Sequence, residues 1–299
     1  MIVGSGEHRY ERVEGWAKYP PYFYFEQEIF QPPDMATDSK DRVFVFNSGN
    51  HPVIILDREG NFVSCWGEGR FRNPHGICIG PDDSVYLVDC QAHVVEKYTP
   101  DGKLLMMLGW KRDWAKGTRK GEPFNMPTAV AVGPSGEILV SDGYGNRRVH
   151  RFSPDGNLMK SWGENGSGPG QFNTVHGVDV DRHGTIYVVD RENNHRIQVF
   201  TPEGEFVTQW TGFMWPKDLY IDRKNDTIYI CEGQSGGVVV PKISIRDLKG
   251  NVLAEWSGRE SQGKGVLEDP HGIWVDSHGD IYVAENEPGP QVVKFAKVS

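Results

Sequence analysis

The chain has 299 residues, of which 37% are hydrophobic, and a formal net charge of −9. That acidic balance argues against nucleic acid or an anionic membrane as a partner, and no apolar stretch approaches the roughly 18 residues of a membrane span. With 36 glycines and 19 prolines set between short β-rich runs, the composition predicts an all-β architecture.

The start, MIVGSGEHRYERVEG, has no basic region followed by an apolar one, so no secretory signal is expected. Cys65, Cys78, Cys90 and Cys231 form no CxxC pair and read as reduced thiols of a cytoplasmic protein.

In chain order, six segments stack on one template: 32–67, 73–109, 126–163, 174–210, 215–258 and 269–299. Each offers a strand a such as HGIWVD, a short turn such as SHG, and a strand b such as DIYVAE. A loop then leads to a strand c such as RIQVF, and a TPEG or SPDG turn leads to a strand d such as FVTQW. Proline presets φ in these turns, the acid bonds locally and glycine takes the positive-φ place. Alternating apolar residues predict half-buried strands. Roughly 40 residues per four-stranded unit is the signature of a β-propeller.

The last repeat stops after its third strand, and RYERVEGWAK (9–18) resembles the d strands. The N-terminus is therefore expected to supply the missing strand beside 291–296, closing a single six-bladed domain over 1–299 and removing two exposed edges. NNHRIQVFTPEGEFV (193–207) resembles the NHL-repeat consensus. His195 then reads as a repeat residue fixing the b–c loop, and His183 and His278 as solvated turn residues.

The residue opening strand a is Asp34, His75, Thr128, His176, Lys217 and His271 in successive repeats. Strand a is innermost in a propeller, so these six side chains are expected around one mouth of the central channel. The histidines fall on alternate blades, 101 and then 95 residues apart, and converge. Three imidazoles with a fourth position open are the protein half of a catalytic zinc site; iron and manganese also accept them. Strand b ends on the same face. Its terminal Asn47, Asp89, Asp142, Asp190, Glu232 and Glu285 read as structural acceptors that hold each b–c loop. The residues after them vary, and Tyr144 and Arg191 stand out. A metal and a guanidinium both favour phenolate, so Tyr144 is expected to act as a general base.

PTAVAVGPSGEILVSDGYGNRRVHRFSPDGNLMKSWGE, PHGICIG, VDRENNHRIQVF and DPHGIWV resemble peptidyl-α-hydroxyglycine α-amidating lyase, over nearly the whole chain. The resemblance implies a six-bladed propeller with zinc on His75, His176 and His271, a catalytic Tyr144 and an active-site Arg191. The implied reaction cleaves the C–N bond of an α-hydroxyglycine, giving an amide and glyoxylate. Ser48 stands where the family carries a second arginine, Gly272 where it carries a calcium-binding aspartate, and Gly145 where it carries a disulfide cysteine. Calcium is therefore not expected to carry over.

The expected activity is a zinc-dependent lyase acting on a small α-hydroxy amide or ureide, with Lys217 supplying the charge missing at Ser48. A zinc hydrolase, a lactonase or amidase with Asp34 beside the attacking water, is the first alternative. A non-catalytic NHL binding platform is the second, and the inward histidines count against it.

Overall fold

The structure is a computed structural model and describes residues 1–24, 31–109, 123–233, 239–258, 266–286 and 291–298. Each repeat folds as an antiparallel four-stranded sheet with strands in the order a, b, c, d. Blade one comprises Asp34–Thr37, Val43–Phe46, Val53–Leu56 and Phe62–Trp66. Blade two comprises Pro74–Ile79, Val85–Asp89, Val94–Tyr98 and Leu104–Gly109. Blade three runs through Ala129–Val132, Ile138–Asp142, Arg148–Phe152 and Leu158–Trp162. Blade four runs through Val175–Val180, Ile186–Asp190, Arg196–Phe200 and Phe206–Trp210. Blade five has Pro216–Asp222, Thr227–Glu232, Lys242–Asp247 and Val252–Ser257. Blade six has Pro270–Val275, Ile281–Glu285 and Gln291–Lys297, and takes its fourth strand, His8–Val13, from the N-terminus. The chain is an all-β, six-bladed β-propeller. Among the described residues no helix is long and apolar enough to cross a membrane.

By contact the chain divides into two compact units: Arg70–Pro216, which holds blades two to four, and Met1–Gly69 with Lys217–Ser299, which holds blades five, six and one. In the first unit, strand a of blade three lies against strand a of blades two and four. In the second, strand a of blade six lies against strand a of blade one.

The alternation expected of half-buried strands appears in few of them, clearest in strands a and d of blade five. Strand b of blade two is buried at every position, whereas half of its strand d is exposed. The inner strands are covered on both faces, which favours continuous apolar runs. Leu139 and Val149 of blade three, for example, pack with Val178, Val188 and Phe200 of blade four. Met35, Val45 and Ile54 of blade one do the same with Tyr282 and Ala284 of blade six.

The closing strand pairs antiparallel with the last strand, Tyr10 opposite Lys297 and Val13 opposite Lys294. It is shorter than the expected 9–18. Trp16 leaves the sheet, meets Tyr282 edge-on at 5.1 Å and donates its indole N–H to the Arg58 carbonyl at 3.0 Å. A fifth strand, Ile2–Ser5, which the sequence reading did not foresee, pairs outside it with Ile2 opposite Glu11. Arg58, in the c–d turn of blade one, grips Asp276 (3.1 Å) and Asp280 of the a–b turn of blade six. Lys294 adds a 2.9 Å ion pair to Asp280. The first and last blades are thus stitched by charge as well as by apolar packing.

Candidate metal centre and active site

The three histidine blades share a backbone feature that blades one and three lack. In blade two the ladder pairs Pro74 with Asp89 but then Ile77 with Leu87, so strand a carries one extra residue around His75. Blade four does the same around His176, between Val175 and Val178. Blade six does so around His271, between Pro270 and Gly272. Strand a of blades one and three pairs without a shift. Such bulges re-aim a side chain. The glycine after each of His75 and His271 then admits the neighbouring backbone: a Cβ on Gly76 would lie 2.6 Å from the Thr128 carbonyl oxygen, and one on Gly272 would lie 2.9 Å from that of Pro33.

All three histidines are buried, with exposures of 8%, 3% and 8%. The Nδ1 of His75 meets the Thr128 carbonyl at 2.7 Å, and the Nδ1 of His271 meets the Pro33 carbonyl at 2.8 Å. A carbonyl only accepts, so both rings carry their proton on Nδ1 and present the lone pair of Nε2. This is the arrangement by which an outer partner fixes a metal-ligating imidazole. Burial drives the pKa of His75 down to about 4, the Arg191 charge reinforces the drop, and the Thr128 carbonyl opposes it. His75 is therefore neutral at pH 7, the form a metal requires. His75, His176 and His271 each offer one ring nitrogen and together are a set that could hold a metal ion.

Tyr144 stands two residues past the end of strand b of blade three. Its Oη lies 3.0 Å from the Nε2 of His75 and 3.2 Å from the Nε2 of His176. Gly143 makes this approach possible, because any side chain there would run into the backbone of Val175. The expectation that neighbouring cations favour phenolate is met only in part. Burial pushes the phenol above its usual 10, and the charge of Arg191 pulls it back without reversing the shift.

Arg191, 8% exposed, follows strand b of blade four. Its guanidinium carbon lies 5.6 Å from the centroid of the Tyr144 ring and 5.9 Å from that of Trp215. One Nη donates to Glu192 at 2.7 Å, while the buried Nε has no hydrogen-bond partner among the described residues. Burial works to raise the Glu192 carboxyl, but its bond and ion pair with Arg191 and a 2.9 Å bond from Thr174 hold it below the usual range. Glu192 and Trp215, which the sequence reading missed, orient the arginine. The tryptophan lies in a d–a connection, the part of the repeat that varies most and so carries no template signal.

Other expected residues are placed differently. The Lys217 ammonium is paired with Asp269 at 2.5 Å, beneath Gly233. Its charge is balanced there rather than free to replace the arginine absent at Ser48, which is exposed. Asp34, 9% exposed, accepts the N–H of Met35 at 2.9 Å and so caps its own strand. The acids ending strand b are acceptors, as expected: they hold the b–c loop, where Asp89 takes the Ala92 N–H and Asp142 and Asp190 take the side-chain amides of Asn146 and Asn194, and they also hold the segment entering strand a. Asp89 takes the N–H groups of Arg72 and Asn73, and Asp142 that of Asn125. Asp190 takes that of Asn173, and Glu285 that of Glu268. His195 binds the Met214 carbonyl and meets Trp215 edge-on with ring centroids 5.2 Å apart, so it anchors the entry to blade five. His183 and His278 are exposed turn residues, and the four cysteines are free thiols.

The NHL repeat family model matches residues 124–152 and 172–200. Peptidyl-alpha-hydroxyglycine alpha-amidating lyase 1 of Drosophila melanogaster is 40% identical over 103 residues, 33% of this chain and 18% of that protein. The probable peptidyl-alpha-hydroxyglycine alpha-amidating lyase of Caenorhabditis elegans is 36% identical over 127 residues, 42% of this chain and 35% of that protein. Human NHL repeat-containing protein 3 is 32% identical over 168 residues, 52% of this chain and 46% of that protein. The chain spans less than half the length of each of these relatives. A solved streptogramin B lyase structure superposes with a TM-score of 0.59 over 87% of this chain and 77% of that one, at 15% identity, a likeness of fold alone. The chain is an NHL-repeat, six-bladed β-propeller that resembles the peptidyl-α-hydroxyglycine α-amidating lyases.

Proposed function

We propose that the chain is a metal-dependent lyase that cleaves the C–N bond of a small α-hydroxy amide or ureide. The observation that carries this reading is the phenol oxygen of Tyr144, set at 3.0 and 3.2 Å from the Nε2 atoms of two buried histidines. The likeness to amidating lyases supports the reaction class. Three imidazoles suit zinc, with iron and manganese as the nearest competitors. When bound, the ion supplies Lewis-acid polarisation of the substrate's hydroxyl or carboxylate oxygen.

The residues of this chain supply the rest. Tyr144, acting as phenolate, takes the proton of the substrate hydroxyl. The electron pair left on that oxygen closes a carbonyl, the C–N bond breaks, and the amide nitrogen leaves with a proton returned from Tyr144. An α-hydroxyglycine would so yield an amide and glyoxylate, with atoms and protons balanced. Arg191 sits over the Tyr144 ring and lowers the cost of its negative charge. The open Nε of Arg191 offers a donor to the substrate's carboxylate. Lys217 and Asp34 serve this mechanism by fixing the strand openings beside the site rather than by touching the substrate.

The test is a screen of the metal-loaded protein with an N-acyl-α-hydroxyglycine, ureidoglycolate and a γ-lactone. Release of glyoxylate from either of the first two supports the lyase. Turnover of the lactone alone would replace it with the hydrolase, and binding without turnover of any of them would leave an NHL binding platform.

A further inference from the structure

Blade three contributes no histidine to the proposed metal set, yet its strand a lies between the strands that carry His75 and His176. The residue immediately before it, Thr128, is fully buried and touches both ligand strands. The Thr128 carbonyl accepts from the Nδ1 of His75 at 2.7 Å. Its hydroxyl reaches the other way, with the Val175 carbonyl at 2.9 Å, the Ser141 hydroxyl at 2.8 Å and the Ser141 carbonyl at 3.2 Å. Val175 immediately precedes His176 and sits where the ladder takes up its extra residue.

A threonine hydroxyl has one proton, and a carbonyl can only accept. The shorter carbonyl contact fixes the direction: Thr128 donates to Val175 and so accepts from Ser141. Ser141 in turn accepts the Ala129 N–H at 2.8 Å. The hydrogen bonds therefore run one way, from the Ala129 N–H through Ser141 and Thr128 to the Val175 carbonyl, with every hydroxyl both donating and accepting. Ser141 is fully buried too, so no water competes for these groups.

We infer that Thr128 is a positioning residue for two metal ligands at once: its carbonyl sets the tautomer of His75, and its hydroxyl pins the bulged backbone that aims His176. The inference rests on the metal-dependent reading above. Ser141 completes the device by donating to the Thr128 hydroxyl, whose own proton then goes to the nearer of its two carbonyls, that of Val175. Outer partners of this kind typically change metal affinity about 10–100-fold when removed.

The full chain is stripped of metal, and zinc affinity is measured by competition with a chromophoric chelator. Thr128→Val keeps the backbone carbonyl and the shape but deletes the hydroxyl. It should weaken zinc binding about 10-fold or more, and Thr128→Ser should restore wild-type affinity. Val130→Ala, a cavity on the strand that follows, serves as the stability control and should lower the melting temperature without moving the affinity. Equal affinity in Thr128→Val and wild type overturns the inference, as does an equal loss in Val130→Ala. A second readout separates this inference from the metal reading. Imidazole ¹⁵N spectra of the metal-free protein should show an Nδ1–H tautomer at His75 in wild type and Thr128→Val alike. The His176 ring signals should shift or broaden only in Thr128→Val. If wild type takes up no transition metal the lyase reading fails, and these spectra alone decide the positioning role; unchanged His176 signals overturn it.

Discussion

The phenol oxygen of Tyr144 lies 3.0 Å from the Nε2 of His75, so the base proposed for the reaction and a proposed metal ligand already share a hydrogen bond. Tyr144→Phe removes that oxygen and keeps the ring, so folding and metal content should survive. Loss of a general base costs about 10²–10⁴ in rate. The expected result is that fall in kcat with zinc stoichiometry unchanged. Full activity in the variant would move the proton transfer to another group.

Arg191 is held by a carboxylate and two ring faces, and each contact gives a separable effect. Arg191→Met deletes the charge and should lower kcat about 10²-fold, the cost of losing one preorganised electrostatic group. Arg191→Lys restores a charge but not the planar fork that stacks on Tyr144 and Trp215, and should recover little of the loss. Trp215→Phe should be nearly silent because it keeps a ring, whereas Trp215→Ala should reproduce part of the Arg191→Met loss in kcat. Steady-state kinetics on one substrate for all four variants makes the comparison. A loss in Trp215→Ala confined to KM would show that the tryptophan contacts substrate instead of orienting Arg191.

How far these residues were legible depends on what the template repeats. The blade count, the closing strand and the histidine set follow from turns and from the His-Gly pairs at fixed positions, because backbone geometry forces those residues to recur. The bulges around His75, His176 and His271 were not legible, since a single extra residue in a ladder leaves no mark on an apolar run. Trp215 and Glu192 were missed because they sit where repeats differ. The alternating pattern misled for a physical reason: strands covered on both faces need no polar side, and every b strand is buried at all its positions. The strand Ile2–Ser5 leaves no template signal, because each repeat calls for four strands and it is a fifth.

Acid stability should depend on the stitch between the first and last blades. Burial works to raise the Asp280 carboxyl, but bonds from Lys297 and Lys294 and the charge of Arg58 leave it below its usual value. A carboxyl depressed on folding contributes stability that is fully present above its unfolded pKa of about 3.9 and is lost as pH falls through the folded value. Urea midpoints should therefore hold from pH 8 to 5 as far as this group is concerned and decline below about pH 4. Asp280→Asn should cost about 3 kcal/mol at pH 7, the lower end for breaking a buried pair, because Arg58 is partly exposed. It should also flatten the decline below pH 4. A variant whose acid profile runs parallel to wild type would assign the decline to other carboxyls.

The closing strand gives a stability prediction of a different kind. Tyr10 is fully buried, with its ring 5.6 Å from that of Trp256, and its strand supplies the fourth strand of blade six. Tyr10→Ala should cost about 3–5 kcal/mol, as removal of a large buried ring does. Deletion of residues 1–13 should do more, because it also exposes the edge of Gln291–Lys297 to pairing with other chains. The checks are thermal unfolding of the point variant and sedimentation of the truncation. A truncation that stays monomeric and keeps the wild-type melting temperature would mean that the closing strand is dispensable.

The metal itself is open to a direct measurement. Protein purified without chelators should carry about one zinc-like ion per chain, and chelation followed by zinc should abolish and then restore turnover. Binding to the folded form alone stabilises it by about 2.7 kcal/mol at a free zinc concentration 100 times the Kd. Zinc should therefore raise the melting temperature of the stripped protein. Each imidazole supplies one of three protein bonds, so His75→Ala, His176→Ala and His271→Ala should each lose most of that rise. Exposed His183 gives the control, since His183→Ala should keep all of it. Isolated protein free of transition metal, with no thermal response to zinc, iron or manganese, would remove the metal from the mechanism and leave Tyr144 and Arg191 to be explained without it.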